Sequence, residues 1–208
     1  MGLLKEGITE VIATTRGNAA PMGIILRHNE ARMVVYRQSH TAARIASDGW
    51  LVANFIFDPC LYVKTAFDDL SPDVFVREEV DGIIFERLSD AEAWIGFRAE
   101  IERTTPEALF IGLHLLHEAI LAPALHPINR GFNGIIEATI HATRWKRTPN
   151  PELARLIIHH AAVIRKCGGK RELEALALLL SYISDFQEIK KSGQGEDETI
   201  PKHSPHDD

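Results

Sequence analysis

Cysteine is nearly absent: Cys60 and Cys167 are the only two in 208 residues, far apart and in no CxxC pair. Thiolate zinc sites and a disulfide framework are therefore excluded as organising features, and a reducing, cytoplasmic setting is expected. A basic excess is also missing, with 23 Lys plus Arg against 29 Asp plus Glu and a formal charge of −6. Binding to nucleic acid through overall positive charge is excluded. No long apolar run occurs. The longest, Ala175 to Ile183, falls far short of the ~20 residues that cross a bilayer. Lys5 and Glu6 interrupt the start before a signal peptide could form, and Glu6 stands where a myristoylation motif needs Ser or Thr. GxGxxG, GxxxxGK[ST] and GxSxG are all lacking. Rossmann, P-loop and serine-hydrolase readings lose their main support.

What remains is an ordinary globular balance, 45% hydrophobic and 25% charged. The length suits one large domain or one domain with an appendage, able to bury roughly 70% of its extended-chain surface. Up to about Ala122, β-branched and aromatic residues come in short runs between turn signals. ITEVIATT, APMGIILR, ARMVVY and WLVANFIF are such runs and predict strands. In EAWIGFRAEIER the residues Ala93, Ile95, Phe97, Ala99 and Ile101 share one face, opposite Glu92, Trp94, Arg98, Glu100 and Glu102. That period predicts a half-buried antiparallel strand with a solvated outer face. ALFIGLHLLHEAIL is uniformly apolar, and its neighbours favour strand over helix.

Helical signals interrupt and then replace this pattern. Ser39 caps a helix that Gly49 stops, and a second short helix follows Pro59. After Pro127 the period becomes helical. Glu137, His141 and Arg144 form a polar stripe at i, i+4, i+7, either a functional stripe or a solvated or interfacial face. Asn150-Pro151 opens the next helix, which Gly168-Gly169 ends. RELEALALLLSYISDF is apolar around most of its circumference and is expected to be largely buried. The fold class is thus α+β, mainly β: an antiparallel split barrel of six or seven strands over 1–125 with an inserted helix, three C-terminal helices over 126–187, and a disordered tail over 188–208.

Three places could bind a ligand. The segment Thr14-Thr15-Arg16-Gly17-Asn18-Ala19-Ala20-Pro21-Met22-Gly23 ends one strand and starts the next, with small residues that allow close backbone approach and Asn18 where a turn needs Asn or Gly; a plain hairpin is the alternative. Tyr36-Arg37-Gln38-Ser39-His40-Thr41 opens a helix with hydroxyls and free N–H groups, which suits phosphate, though it also reads as a simple Ser cap. Asn54 lies in an apolar strand, where it either ties down a loop or reads a ligand edge. The histidines suggest no metal. His114 and His117 fall on opposite faces of a strand, and HLLHE is not HExxH. His159 and His160 point about 100° apart on a helix, and His203 and His206 sit in the tail.

In their order, TTRGNAAPMGI, YRQSHTAARIASDG and WLVANFIFDP resemble the flavin-binding split-barrel superfamily, which includes flavin reductases. Within it the chain is similar to an uncharacterised family, domain of unknown function four-four-seven, whose pattern NRGFNGIIEATIHATR also fits. The resemblance implies FMN, a homodimer and a flavin at the subunit interface. It implies that Ser39 and Thr41, with Arg37, hold the phosphate. Thr14, Thr15, Asn18, Ala19 and Ala20 would line the ring, and Asn54 would bond the flavin or the loop covering it. The implied activity is a flavin-dependent oxidoreductase with a nicotinamide or deazaflavin donor. The alternatives are a non-catalytic FMN carrier or sensor, or a dimeric scaffold.

Overall fold

Side chains alternate along β3 (Glu30–Tyr36): Ala31, Met33 and Val35 are buried, while Arg32, Val34 and Tyr36 are exposed. The computed structural model describes residues 2–183 and repeats this in-and-out pattern around a closed barrel. Its strands are β1 (Gly7–Thr15), β2 (Asn18–Arg27), β3, β4 (Trp50–Phe55), β7 (Ala93–Thr104) and β8 (Ala108–Ile120). They are joined antiparallel in the order β1-β2-β3-β8-β7-β4. Val11, Ile24, Met33, Leu51, Ile95, Phe97 and Ile111 fill the interior. The strand assigned to the uniformly apolar run is β8.

The barrel is split on one side. β2 and β3 pair only at Ile25↔Arg32, Leu26↔Ala31 and Arg27↔Glu30, beside a turn in which His28 and Asn29 take φ of 51° and 65°. Beyond Ile25 the strands part. β3 then follows β8 as far as Tyr36, and α1 (His40–Asp48) places Ala42 and Ile45 in the barrel core. Ser39 caps α1 through Ala42 N, and Gly49 ends it at φ 68°.

Between β4 and β7 lie α2 (Pro59–Phe67) and a separate hairpin of β5 (Phe75–Val80) and β6 (Ile83–Leu88). This hairpin corrects the expected solvated face of β7. Trp94 is buried, packed with Phe85 of the hairpin, Trp50 and Val52. Gly96 makes the contact possible, since a Cβ there would stand 3.2 Å from the Phe85 ring. Ile101, expected inside, is 40% exposed. β4 accompanies β7 only from Ala93 to Arg98, and a bulge follows Ile101, so that stretch has β8 alone beside it.

The helices α3 (Arg130–Arg147), α4 (Pro151–Cys167) and α5 (Lys170–Tyr182) are set by local caps. Asn129 accepts from Gly131 N and Asn150 from Leu153 N. Ile135, Ala138, Ile157, Ile164, Leu176 and Leu179 form their core together with Val63 of α2, and Phe132 of α3 packs with Tyr62 of α2 and with Ile12 and Ala19 of the barrel. α5 buries one face and not its whole circumference, because Leu173 and Ala177 are exposed. The expected tail and the run Ser184–Phe186 lie outside the described residues. Among the described residues, no helix is long and apolar enough to cross a membrane.

Candidate functional site

Where β2 leaves β3, a groove of about 560 Å³ runs between the barrel wall and the helices. β2 lines it with Ala20, Pro21, Met22 and Gly23, and β1 with Ile8 and Glu10. Tyr62 of α2 and Ile136, Thr139 and Ile140 of α3 form the opposite wall. Tyr36, Ser39, Thr143 and Arg144 also line it. The Arg147 guanidinium covers the Tyr36 ring at 4.1 Å, which holds the last turn of α3, with Arg144, beside the start of α1. The lining is mainly apolar with a few convergent polar groups, as expected of a small-molecule site.

The polar groups gather at α1. Ser39 Oγ accepts from Ala42 N at 3.1 Å, and its carbonyl accepts from Ala43 N at 3.2 Å. The N–H groups of His40 and Thr41 precede these bonds and belong to the open donors of a helix start. With the helix dipole and Arg144 they favour an anion. Glu10 is half-buried, and its carboxyl is held above the usual range, first by burial and then by Glu137. Tyr62 Oη donates to the Glu10 carbonyl at 3.1 Å, and burial pushes its phenol well up.

The β1–β2 turn is clamped from two sides. Its left-handed position is Gly17 (φ 62°), not Asn18. Gly17 N donates to Glu86 Oε2 at 2.7 Å, Thr14 Oγ1 donates to the Glu86 carbonyl at 2.6 Å, and Arg77 Nε holds the other carboxylate oxygen at 3.2 Å. On the other side, Asn18 Nδ2 donates to Thr41 Oγ1 at 3.0 Å, tying β2 to α1.

Of the nine residues singled out by sequence, Ala20 and Ser39 line the groove. Thr14, Thr15, Asn18, Ala19 and Thr41 are buried around the clamped turn. Arg37 is exposed, with its backbone N–H donating to the Glu107 carbonyl. Asn54 is fully buried and committed elsewhere. Its Nδ2 donates to the Ile12 carbonyl at 2.9 Å and to Thr14 Oγ1 at 3.0 Å, while its Oδ1 accepts from Leu88 N at 2.8 Å. It ties the end of the hairpin to β1. Tyr36, which opens the expected phosphate segment, lines the groove as well, whereas Glu10, Tyr62 and Arg144 were not singled out as ligand-binding residues. Only Arg144 had a signal, its place in the stripe Glu137–His141–Arg144.

The histidines also depart from expectation. A bulge at Leu116 pairs His117 with Gly96 and His114 with Arg98, so both project from one face and not from opposite faces. His114 then meets Glu100 at 3.2 Å, and His117 lies against Trp94. The stripe of α3 divides: Arg144 reaches the groove, while Glu137 and His141 meet His160 of α4.

Barrel, split and groove together define a split-barrel protein with a cofactor-sized cleft. The family described as "Protein of unknown function (DUF447) N-terminal domain" matches residues 9–122, and "Protein of unknown function (DUF447)" matches residues 129–181. The chain belongs to this family. The FMN-bound protein MM1853 from Methanosarcina mazei, of the same family, is 34% identical, covering 86% of this chain and 96% of its own at a TM-score of 0.81. The flavin reductase HpaC complexed with NADP+ matches at 16% identity and TM-score 0.43, over 59% of this chain and 83% of its own. Flavoredoxin from Methanosarcina acetivorans matches at 15% and 0.42, over 59% and 72%.

Proposed function

We propose that the chain binds FMN in the groove between β2, α1 and α3 and acts as a flavin-dependent oxidoreductase of flavin reductase-like type. The observation that carries this reading is the groove. One apolar cleft, within the roughly 300–1,000 Å³ typical of cofactor pockets, brings a helix start, Ser39 and Arg144 together with the small residues of β2. That the 34% identical family member is FMN-bound supports the same occupant.

Ser39, the N–H groups of His40 and Thr41, and Arg144 would meet the phosphate, with exposed Arg37 adding positive charge to the approach. Ala20 and Gly23 let a planar ring come close to the β2 backbone, and Ile136 and Ile140 exclude water from its other side. Thr14, Thr15, Asn18, Ala19, Thr41 and Asn54 hold the turn and strand beneath it in place. The chemistry supplied by the bound flavin is hydride or electron transfer. Glu10, its carboxyl raised by burial, offers a proton-holding group inside the groove. Ile8, Val34 and Tyr36 are exposed apolar side chains on the groove's border. A second copy of the chain covers them in a homodimer that encloses the flavin.

Titration of cofactor-free protein with FMN, followed by flavin fluorescence and the visible flavin band, tests the reading. Stoichiometric binding is expected, and Arg144→Ala should weaken it about 10- to 150-fold, the equivalent of one charge-assisted bond at 1.5–3 kcal/mol. Failure to bind FMN overturns the proposal, and unchanged affinity in Arg144→Ala overturns the phosphate assignment. Bleaching with turnover by NADH, NADPH or a reduced deazaflavin supports the enzyme. A flavin that binds but is never reduced makes the protein a carrier. Light scattering at concentrations spanning the FMN affinity checks the dimer.

A further inference from the structure

α3 and α4 approach closely at Gly134, where a Cβ would lie 2.9 Å from Ile164 Cγ1 and 3.8 Å from the His160 carbonyl oxygen. This approach carries His160 to the polar stripe of α3. One ligand atom each from Glu137, His141 and His160 lies within 4.8 Å of the others. The imidazoles of His141 and His160 stack, with ring centroids 5.4 Å apart and planes 26° apart.

Hydrogen bonding does not account for the cluster. His141 Nε2 is 4.0 Å from Glu137 Oε2, beyond hydrogen-bond reach. His141 Nδ1 is buried with no hydrogen-bond partner, a state that costs free energy and needs a reason. The spacing instead suits an ion. Metal–ligand bonds of about 2.0–2.2 Å place neighbouring ligand atoms of a tetrahedral site some 3.3–3.6 Å apart, so an ion would draw these side chains inward from a spacing of up to 4.8 Å.

We propose that Glu137, His141 and His160 bind a divalent transition-metal ion, zinc by ligand preference, through two imidazoles and one carboxylate, with the remaining position open to water. Imidazole ligands select against magnesium and calcium, which take oxygen donors. Two His and one carboxylate around an accessible position is an arrangement that zinc adopts. The open side is that of Glu137, whose side chain is 54% exposed against 13% for His141. The ion would staple α3 to α4 on the flank adjoining Ile136, Ile140 and Arg144, and so fix the helix that walls the groove.

The test uses the full chain carrying His203→Ala and His206→Ala, so that the tail imidazoles cannot compete. Stripped with a chelator and kept free of flavin, it is titrated with Zn²⁺ and with Co²⁺. One equivalent of Zn²⁺ should bind and raise the melting temperature. His141→Ala and His160→Ala should each lower the affinity at least 100-fold, more than the ~10–100-fold typical of outer-shell changes. His159→Ala, an exposed neighbour, should leave it unchanged. Two hyperfine-shifted imidazole N–H signals in the Co²⁺ form are expected from the unsubstituted triad, a readout independent of how the variants fold. No stoichiometric binding at micromolar Zn²⁺, or equal affinity in the His141 and His160 variants, overturns the site. Because no flavin is present, that failure is distinct from failure of the FMN reading.

Discussion

Asn54→Leu keeps the branched shape and heavy-atom count of a fully buried side chain and removes all its hydrogen bonds. Thr14 Oγ1 retains its bond to the Glu86 carbonyl. Leu88 N–H loses its only side-chain acceptor, and the Ile12 carbonyl loses an amide donor, both inside the protein. Each buried polar group left unpaired costs about 1–3 kcal/mol, so the substitution should cost about 4 kcal/mol. For a chain of this size, 1 kcal/mol moves the melting temperature by roughly 2–4 °C, which gives a fall of roughly 8–16 °C. Thermal melting by circular dichroism measures it directly. FMN affinity, measured well below the transition, should stay within about threefold of the parent, a difference below 1 kcal/mol, because Glu86 keeps its bonds to Thr14 and Gly17 and the clamp on the turn survives. A fall in melting temperature under about 2 °C would show that Asn54 does not tie the hairpin to β1 as its bonds indicate. A loss of FMN affinity beyond tenfold in folded protein would show that the hairpin clamp on the β1–β2 turn depends on Asn54.

Three further substitutions probe separate features. Gly131→Ala puts a Cβ 2.4 Å from Gly168 Cα and 2.7 Å from Gly168 N, where only backbone could yield. It should destabilise by at least ~1–3 kcal/mol in urea unfolding, whereas Asn133→Ala, on the exposed side of α3, should not. Glu10→Gln should stabilise at pH 7. The folded state raises the Glu10 pKa above its ordinary 4.5 and so binds the proton more tightly than the unfolded chain. The contribution of Glu10 to stability therefore falls as pH rises through that interval, and the advantage of Gln should vanish below pH 4.5. Ser39→Asp keeps an N-cap acceptor but sets a negative charge at the phosphate end of the groove. The melting temperature should hold while FMN affinity falls at least tenfold, and equal losses in both would reduce Ser39 to a cap.

The parts legible in the sequence are those decided by neighbours along the chain. The capped helix from Ser39 to Gly49 and the Asn150-Pro151 start follow from local backbone chemistry alone. The β5–β6 hairpin carried an equally local signal that sequence reading passed over. Asp81 and Gly82, at φ 51° and 75°, join two strands as a two-residue turn of the kind Asp-Gly favours. Missing it cost the burial of Trp94 and the partners of Asn54, since Phe85 and Leu88 both belong to the hairpin. Arg144 and His160 were harder for a different reason. Helical periodicity gives the angle of a side chain about its axis but not which neighbour lies there. The groove needs the packing of α3 against β2, and the triad needs the approach of α4 at Gly134.

The clamped turn links these pieces. Glu86 holds Thr14 and Gly17 from the hairpin side, and Thr41 holds Asn18 from the side of α1. The same helix whose first turn faces the groove thus fixes the start of β2, the strand that lines it. A ligand entering this cleft orders little new backbone on binding, and preorganisation of that kind increases affinity by lowering the entropy of association. Loosening either clamp should therefore weaken binding without removing any group that touches the ligand, which is how the buried side chains of Thr14, Asn18 and Thr41 serve a site that those side chains do not line.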